Sequence, residues 1–80
     1  MKAQVFVTLK RGVLDPAGKA VASGLHQLGF DEVGDVRLGK YIEVEIDGGD
    51  AQAAQARLAE MCEALLANTV IEDYRIELGG

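Results

Sequence analysis

Three kinds of side chain in this chain could make or break bonds: one cysteine, one histidine and several closely spaced carboxylates. Cys62 would act as a nucleophile only as a thiolate, which needs an activating base and an accessible setting. It follows Leu58 by one helical turn, on an apolar stripe, and reads as a small buried hydrophobe. His26 stands beside Leu25 with no Asp, Ser or Cys partner implied by spacing, and reads as a surface or partly buried side chain rather than a base. The acidic pairs Asp31-Glu32, Glu43 with Glu45, and Glu72-Asp73 could do acid–base work only in an apolar pocket that raised one pKa. No such pocket is implied, so they read as solvated faces. One His and one Cys are too few for a structural metal site. Gly48-Gly49 is a turn, and Gly12-Val13-Leu14-Asp15 lacks the Lys-Ser/Thr ending of a phosphate-binding loop. No catalytic residue, cofactor site or metal site is expected in this chain.

Size and charge narrow the field further. Eighty residues make one domain, expected to span 1–80. A chain this short buries only ~60–65% of its unfolded surface, and such domains lean on a staple or a partner. A lone cysteine offers no internal disulfide, while 49% of the residues are apolar, so an oligomer is expected. The net charge of −5 repels phosphate backbones and anionic membranes. Nor does any apolar run approach the ~18 residues of a membrane span. The alternating start, Met1 to Val7, does not read as an export signal. Together with the single reduced thiol it suggests the cytoplasm.

The elements follow from periodicity. Val5, Val7 and Leu9 alternate with Gln4, Phe6 and Thr8 as a first strand. Asp15-Pro16 starts a helix: Asp accepts from the free amides of the first turn, and Pro has its φ preset. Val21, Leu25 and Leu28 give that helix its apolar face and Gly29 ends it. Gly18 and Gly24 weaken it by ~1 kcal/mol each relative to Ala, which either a close contact or plain tolerance explains. In the segment 33–47, Val36, Leu38, Ile42, Val44 and Ile46 share one parity and Glu43 and Glu45 the other. A three-residue turn, Gly39-Lys40-Tyr41, keeps the apolar set on one face, and so does one continuous bent strand. The continuous strand would span ~35 Å, overhang a globule of ~30 Å and reach a second subunit. The hairpin is the favoured topology, and the strand shared across a dimer is its alternative. Asp50 caps a second helix whose stripe is Ala54, Leu58, Met61, Cys62, Leu65 and Leu66, and Tyr74, Ile76 and Leu78 alternate in a last strand. The order is β-α-β-β-α-β, an α+β ferredoxin-like fold with two helices on one face of an antiparallel sheet. That fold hosts many activities and fixes none.

In the hairpin topology one end of the sheet gathers Lys10, Arg11, Lys19, Arg37 and Lys40, five of eight basic residues, with the positive end of the first helix. Asp31, Glu32, Asp35, Asp47 and Asp50 fall at the other end. Lys10, Arg11, Lys19, Arg37, Gly39 and Lys40 are therefore candidates for docking a protein or an anion, although Asp15, Glu72 and Asp73 lie near enough to neutralise them. Tyr41, Ile42, Glu43 and Val44 are candidates for a dimer interface by sheet extension.

Four blocks, in order and at matching spacing, resemble the PurS family of phosphoribosylformylglycinamidine synthase subunits. They are Val5–Leu9 running on through Lys10-Arg11-Gly12-Val13-Leu14-Asp15-Pro16 to Val21; Leu28-Gly29-Phe30 with Val33; Val36-Arg37-Leu38-Gly39-Lys40-Tyr41-Ile42-Glu43; and Met61-Cys62 through Leu65-Leu66-Ala67-Asn68 to Ile71-Glu72-Asp73-Tyr74. Thr69 stands where the family often has Pro. The resemblance implies a non-catalytic subunit that dimerises or forms a higher homo-oligomer. It implies that this subunit brings a PurL-like synthetase and a PurQ-like glutaminase together, in the ATP- and glutamine-dependent conversion of formylglycinamide ribonucleotide to formylglycinamidine ribonucleotide. ATP and magnesium are then used by the complex and not by this chain. A second reading, from the residues alone, is a metabolite-sensing ferredoxin-like module with an anion at the Gly12 and Gly39 turns. An RNA-binding sheet is disfavoured by the charge and the few aromatic residues.

Overall fold

The computed structural model describes residues 1–79. Alternation places strand β1 at Lys2–Leu9, with Ala3, Val5 and Val7 buried on one face and Gln4, Phe6 and Thr8 on the other. It is the middle strand of a three-stranded antiparallel sheet, order β2-β1-β3, flanked by β2 (Gly39–Glu45) and β3 (Glu72–Leu78). Val5 stands opposite both Ile42 and Ile76, and Ala3 opposite Val44 and Leu78, so apolar residues of all three strands share one face. Helix α2 (Ala51–Met61), capped by the Asp50 carboxylate on the Gln52 amide at 3.0 Å, packs over that face with Ala54 and Leu58 buried. The fold class is the expected α+β ferredoxin-like one, but the sheet has three strands among the described residues where four were expected: the favoured hairpin does not form, and β2 runs unbroken through Gly39, Lys40 and Tyr41.

Two details differ from the sequence expectation. No strand forms over 33–38, and Gly39-Lys40-Tyr41 lie within β2 rather than in a turn. The cause is local. The Leu38 N–H donates to Asp15 Oδ2 at 3.0 Å, so the segment entering β2 is tied to the start of α1 (Pro16–Gln27). The second difference lies after α2. A π-helical turn, Cys62–Leu66, closes with the Ala67 amide on the Cys62 carbonyl. The extra residue in that turn rotates the stripe. Leu66 joins the core with Cys62 and Ala67, while Leu65 is swung out and is 84% exposed.

Helix α1 begins and ends as its sequence dictates. Pro16 occupies the first turn, the Asp15 carboxylate accepts from the Gly18 amide at 2.9 Å, and Gly29, at φ +97°, takes the left-handed position after the last turn. The Phe30 amide on the Leu25 carbonyl and the Gly29 amide on His26 complete the C-terminal cap. The helix nevertheless packs little against its own sheet. Its face stays open, with Leu28 75% exposed and Val21 only partly covered. The molecule is accordingly extended, 48 × 27 × 14 Å with a radius of gyration of 15.9 Å. A compact domain of this length would measure ~12 Å.

Candidate functional site: a cationic cleft at the start of α1

Strand β1 runs out at Leu9 into a tight turn, with the Val13 amide on the Lys10 carbonyl and Gly12 at φ +89°. The chain then enters α1 at Asp15. Across from this turn, Asp35, Val36 and Arg37 pass over the first turn of the helix. Between the two stretches lies a cavity of about 360 Å³. Gly18 is what lets the Val36 segment lie against α1: it is buried, and a Cβ there would overlap the Val36 carbonyl oxygen and sit 2.6 Å from Asp15 Oδ2. Of its two possible explanations, close contact therefore holds for Gly18 and tolerance for Gly24, whose absent Cβ would meet nothing within 4 Å.

Lys10, Arg11, Lys19 and Arg37 all line this cavity, so four of the expected docking residues come together. Gly39 and Lys40 do not join them. Gly39 sits in β2 opposite Thr8, close over the Val7 carbonyl, and Lys40 extends toward Glu72 at 3.8 Å. Asp35, expected at the far acidic end, is instead part of the lining. Val13, Leu14 and Val36 complete an apolar side of the cleft that sequence reasoning did not assign. A glycine in the first turn of a helix, facing a segment rich in one parity, is the signal that would have found the Val36 contact.

The electrostatics turn on Asp15. Its two carboxylate oxygens serve two elements: one caps α1 through Gly18, the other holds the Leu38 amide. These two bonds, Gly18 first, and the nearby Arg37 charge hold its pKa below the ordinary aspartate value despite some desolvation. A depressed carboxylate pKa stabilises the fold above the unfolded value of ~3.9 and loses that contribution as pH falls through the folded value. Asp15→Asn keeps a cap acceptor but loses the charge and the second acceptor. It is expected to melt lower than the parent at neutral pH, with the gap closing as the pH falls below the ordinary aspartate value and through the depressed folded one. Thermal melts across that range check this; a gap that stays constant with pH would be inconsistent with it.

The other candidates are placed as follows. Cys62 is fully buried in the core, and its thiol pKa is pushed up, first by burial and then by Glu63. His26 Nε2 lies 2.7 Å from the Val33 carbonyl and so carries the proton that closes the 28–33 loop. The Tyr74 hydroxyl donates to Glu63 at 2.9 Å, which raises its pKa and pins β3 to the π-helical turn. Tyr41, Ile42, Glu43 and Val44 lie on β2, an outer strand of the sheet; Tyr41 and Glu43 are exposed, Ile42 and Val44 half-buried. On the open face of the sheet Phe6 stacks with Tyr41 at 5.2 Å and carries the Arg75 guanidinium at 4.3 Å. No helix among the described residues is long and apolar enough to cross a membrane.

Fold and cleft together define a small ferredoxin-like α+β domain whose distinctive features are contact surfaces: an outer strand, an uncovered helix face and a cationic recess. The PurS family profile, described as phosphoribosylformylglycinamidine (FGAM) synthase, matches residues 2–80. A Synechocystis relative, phosphoribosylformylglycinamidine synthase subunit PurS, is 55% identical over 75 residues, covering 94% of this chain and 75% of that one. The solved PurS of Bacillus subtilis superposes with a TM-score of 0.83 at 54% identity, over 95% of this chain and 94% of that one. A chain in the PurLQS structure from Thermotoga maritima superposes with a TM-score of 0.87 at 30% identity, over 95% and 93%. The chain belongs to the PurS family.

Proposed function

We propose that this chain is the non-catalytic assembly subunit of a phosphoribosylformylglycinamidine synthase in purine biosynthesis, joining a PurL-like synthetase to a PurQ-like glutaminase. The observation that carries the reading is family membership over residues 2–80, with a relative of the same fold standing within a PurLQS assembly. The physical shape of the chain agrees with it. Helix α1 has an apolar face and little of its own sheet to lie on, and β2 has an outer edge ready for another strand. Both surfaces suit a homodimer or higher homo-oligomer, with Tyr41 to Val44 at the sheet edge. Amidation and glutamine hydrolysis belong to the partner subunits, as do ATP and magnesium. This chain takes no cofactor, and the complex works in the cytoplasm.

The test is reconstitution. The chain alone should scatter light as a multiple of its 8.5 kDa mass and show no turnover. The synthetase and glutaminase of its organism should give glutamine-dependent ligase output only when it is added. Full output without it would remove the assembly role.

A further inference from the structure

We infer that the cationic cleft beside the first turn of α1 is a docking seat for an acidic segment of a partner protein, one in which carboxylates flank an apolar side chain. The inference rests on the assembly reading and adds a surface and a partner chemistry to it.

The pairing of the basic residues singles out the cleft. Of the eight, Lys2, Lys40, Arg57 and Arg75 each have a carboxylate within 4.0 Å: Glu43, Glu72, Glu60 and Glu77. The other four, Lys10, Arg11, Lys19 and Arg37, form no ion pair among the described residues, and all four line this cavity. Against them the lining sets two carboxylates, Asp15 and Asp35. Both oxygens of Asp15 are already taken by the Gly18 and Leu38 amides. On a chain whose net charge is −5, this recess is locally positive. Such a reversal of sign steers an acidic surface to one orientation and rejects others.

The apolar part of the lining decides between a protein and a small anion. Leu14 is 64% exposed at this recess, and Val13 and Val36 lie half-buried beside it. A lone phosphate would occupy the charges and leave Leu14 in water. It would also compete with Asp15 for the amide end of α1, which the carboxylate already fills. A polypeptide with an apolar residue between acidic ones covers Leu14 and meets the four cations at once. The seat is also built, not improvised. Gly18 permits the close passage of Val36, and Asp15 fixes both walls, so little ordering is left for the moment of binding.

The test uses the full chain with the synthetase and glutaminase of its own organism. Affinity is measured at low and high NaCl, about 0.03 and 0.3 M, straddling a Debye length of ~10 Å. Three variants are compared with the parent: Lys19→Glu with Arg37→Glu, Leu14→Ser, and Arg57→Glu, whose guanidinium is paired with Glu60 on α2. Circular dichroism melts establish that each is folded. The double reversal is expected to weaken binding roughly tenfold or more at low salt and to flatten the salt dependence. Leu14→Ser should weaken binding several-fold at both salts, and Arg57→Glu should stay within about twofold of the parent. Parent binding with an unaffected double reversal overturns the inference and leaves the assembly role standing. Equal losses from Arg57→Glu, or competition by inorganic phosphate beyond its ionic strength, also overturn it. Failure of the parent to bind either subunit sinks both readings.

Discussion

Leu58→Ala should cost about 2–5 kcal/mol and leave the isolated chain largely unfolded near room temperature. Leu58 has no exposed surface and is the bulkiest of the fully buried side chains, ahead of Val5, Val7 and Cys62. It is buried on α2, the helix that packs against β3. The cavity it would leave has few neighbours able to collapse into it, because the core is one thin layer and α1 does not contribute to it. A single core in a domain of this size supplies only ~3–5 kcal/mol in all. One truncation therefore consumes most of the margin. Leu65→Ala, seven residues on, is the control. Leu65 is 84% exposed, so its loss should change the stability of the isolated chain by less than about 0.5 kcal/mol. Urea unfolding midpoints of the two variants check the contrast; equal midpoints would mean that the rotation of the stripe at the π-helical turn is wrong. Adding the partner subunits should recover part of the Leu58→Ala loss, since a partner that binds only the folded state stabilises it by mass action.

That pair of leucines also marks how far periodicity could be read. Ala54, Leu58 and Cys62 were legible because they repeat at helical spacing, and they are buried. Leu65 was not, because the π-helical turn inserts a residue and breaks the period where an i, i+7 count assumes it holds. The strands behave the same way. β1 and β3 carry clean alternation and form where it puts them. The 33–38 stretch has apolar parity too, yet makes no ladder, because Asp15, some twenty residues earlier, captures the Leu38 amide. A cap residue is visible in sequence; its second oxygen, bonded to a distant backbone, is not. The cleft was half legible for that reason. Charge count gathered Lys10, Arg11, Lys19 and Arg37, but the hairpin that served to gather them also drew in Gly39 and Lys40, which β2 holds elsewhere.

The exposed face of α1 carries the same lesson into function. Val21, Leu25 and Leu28 sit at helical spacing and predict a helix that buries one side. Within the chain that side finds little to lie against, and the radius of gyration of 15.9 Å records the result. An amphipathic helix held away from its own sheet needs a second surface, whose identity no pattern within the chain specifies. Sequence thus gives the demand for a partner before it gives the partner.

The same substitution at two glycines of α1 should move stability in opposite directions. Ala is favoured over Gly in a helix by about 0.5–1 kcal/mol, through backbone entropy. At Gly24 nothing opposes that term, since a Cβ would meet no atom within 4 Å. Gly24→Ala should therefore raise the melting temperature by roughly 3–8 °C in a domain of this size. At Gly18 the new methyl overlaps the Val36 carbonyl oxygen and crowds the Asp15 carboxylate at 2.6 Å. The obstacle is backbone and a doubly bonded cap, neither of which can swing aside as a long side chain would. Overpacking of this kind costs about 1–3 kcal/mol, which exceeds the helix gain, so Gly18→Ala should melt several degrees below the parent. The damage should also be local in a readable way. Displacing Val36 pulls the Leu38 amide from Asp15, so hydrogen exchange at Leu38 should accelerate in Gly18→Ala and stay unchanged in Gly24→Ala. Because one wall of the cationic cleft is the Val36 segment that Gly18 lets lie against α1, partner affinity should fall with that exchange protection, and not with the loss of global stability. A Gly18→Ala chain as stable as Gly24→Ala, with Leu38 still protected, would show that the crossing over the first turn of α1 is looser than its geometry requires.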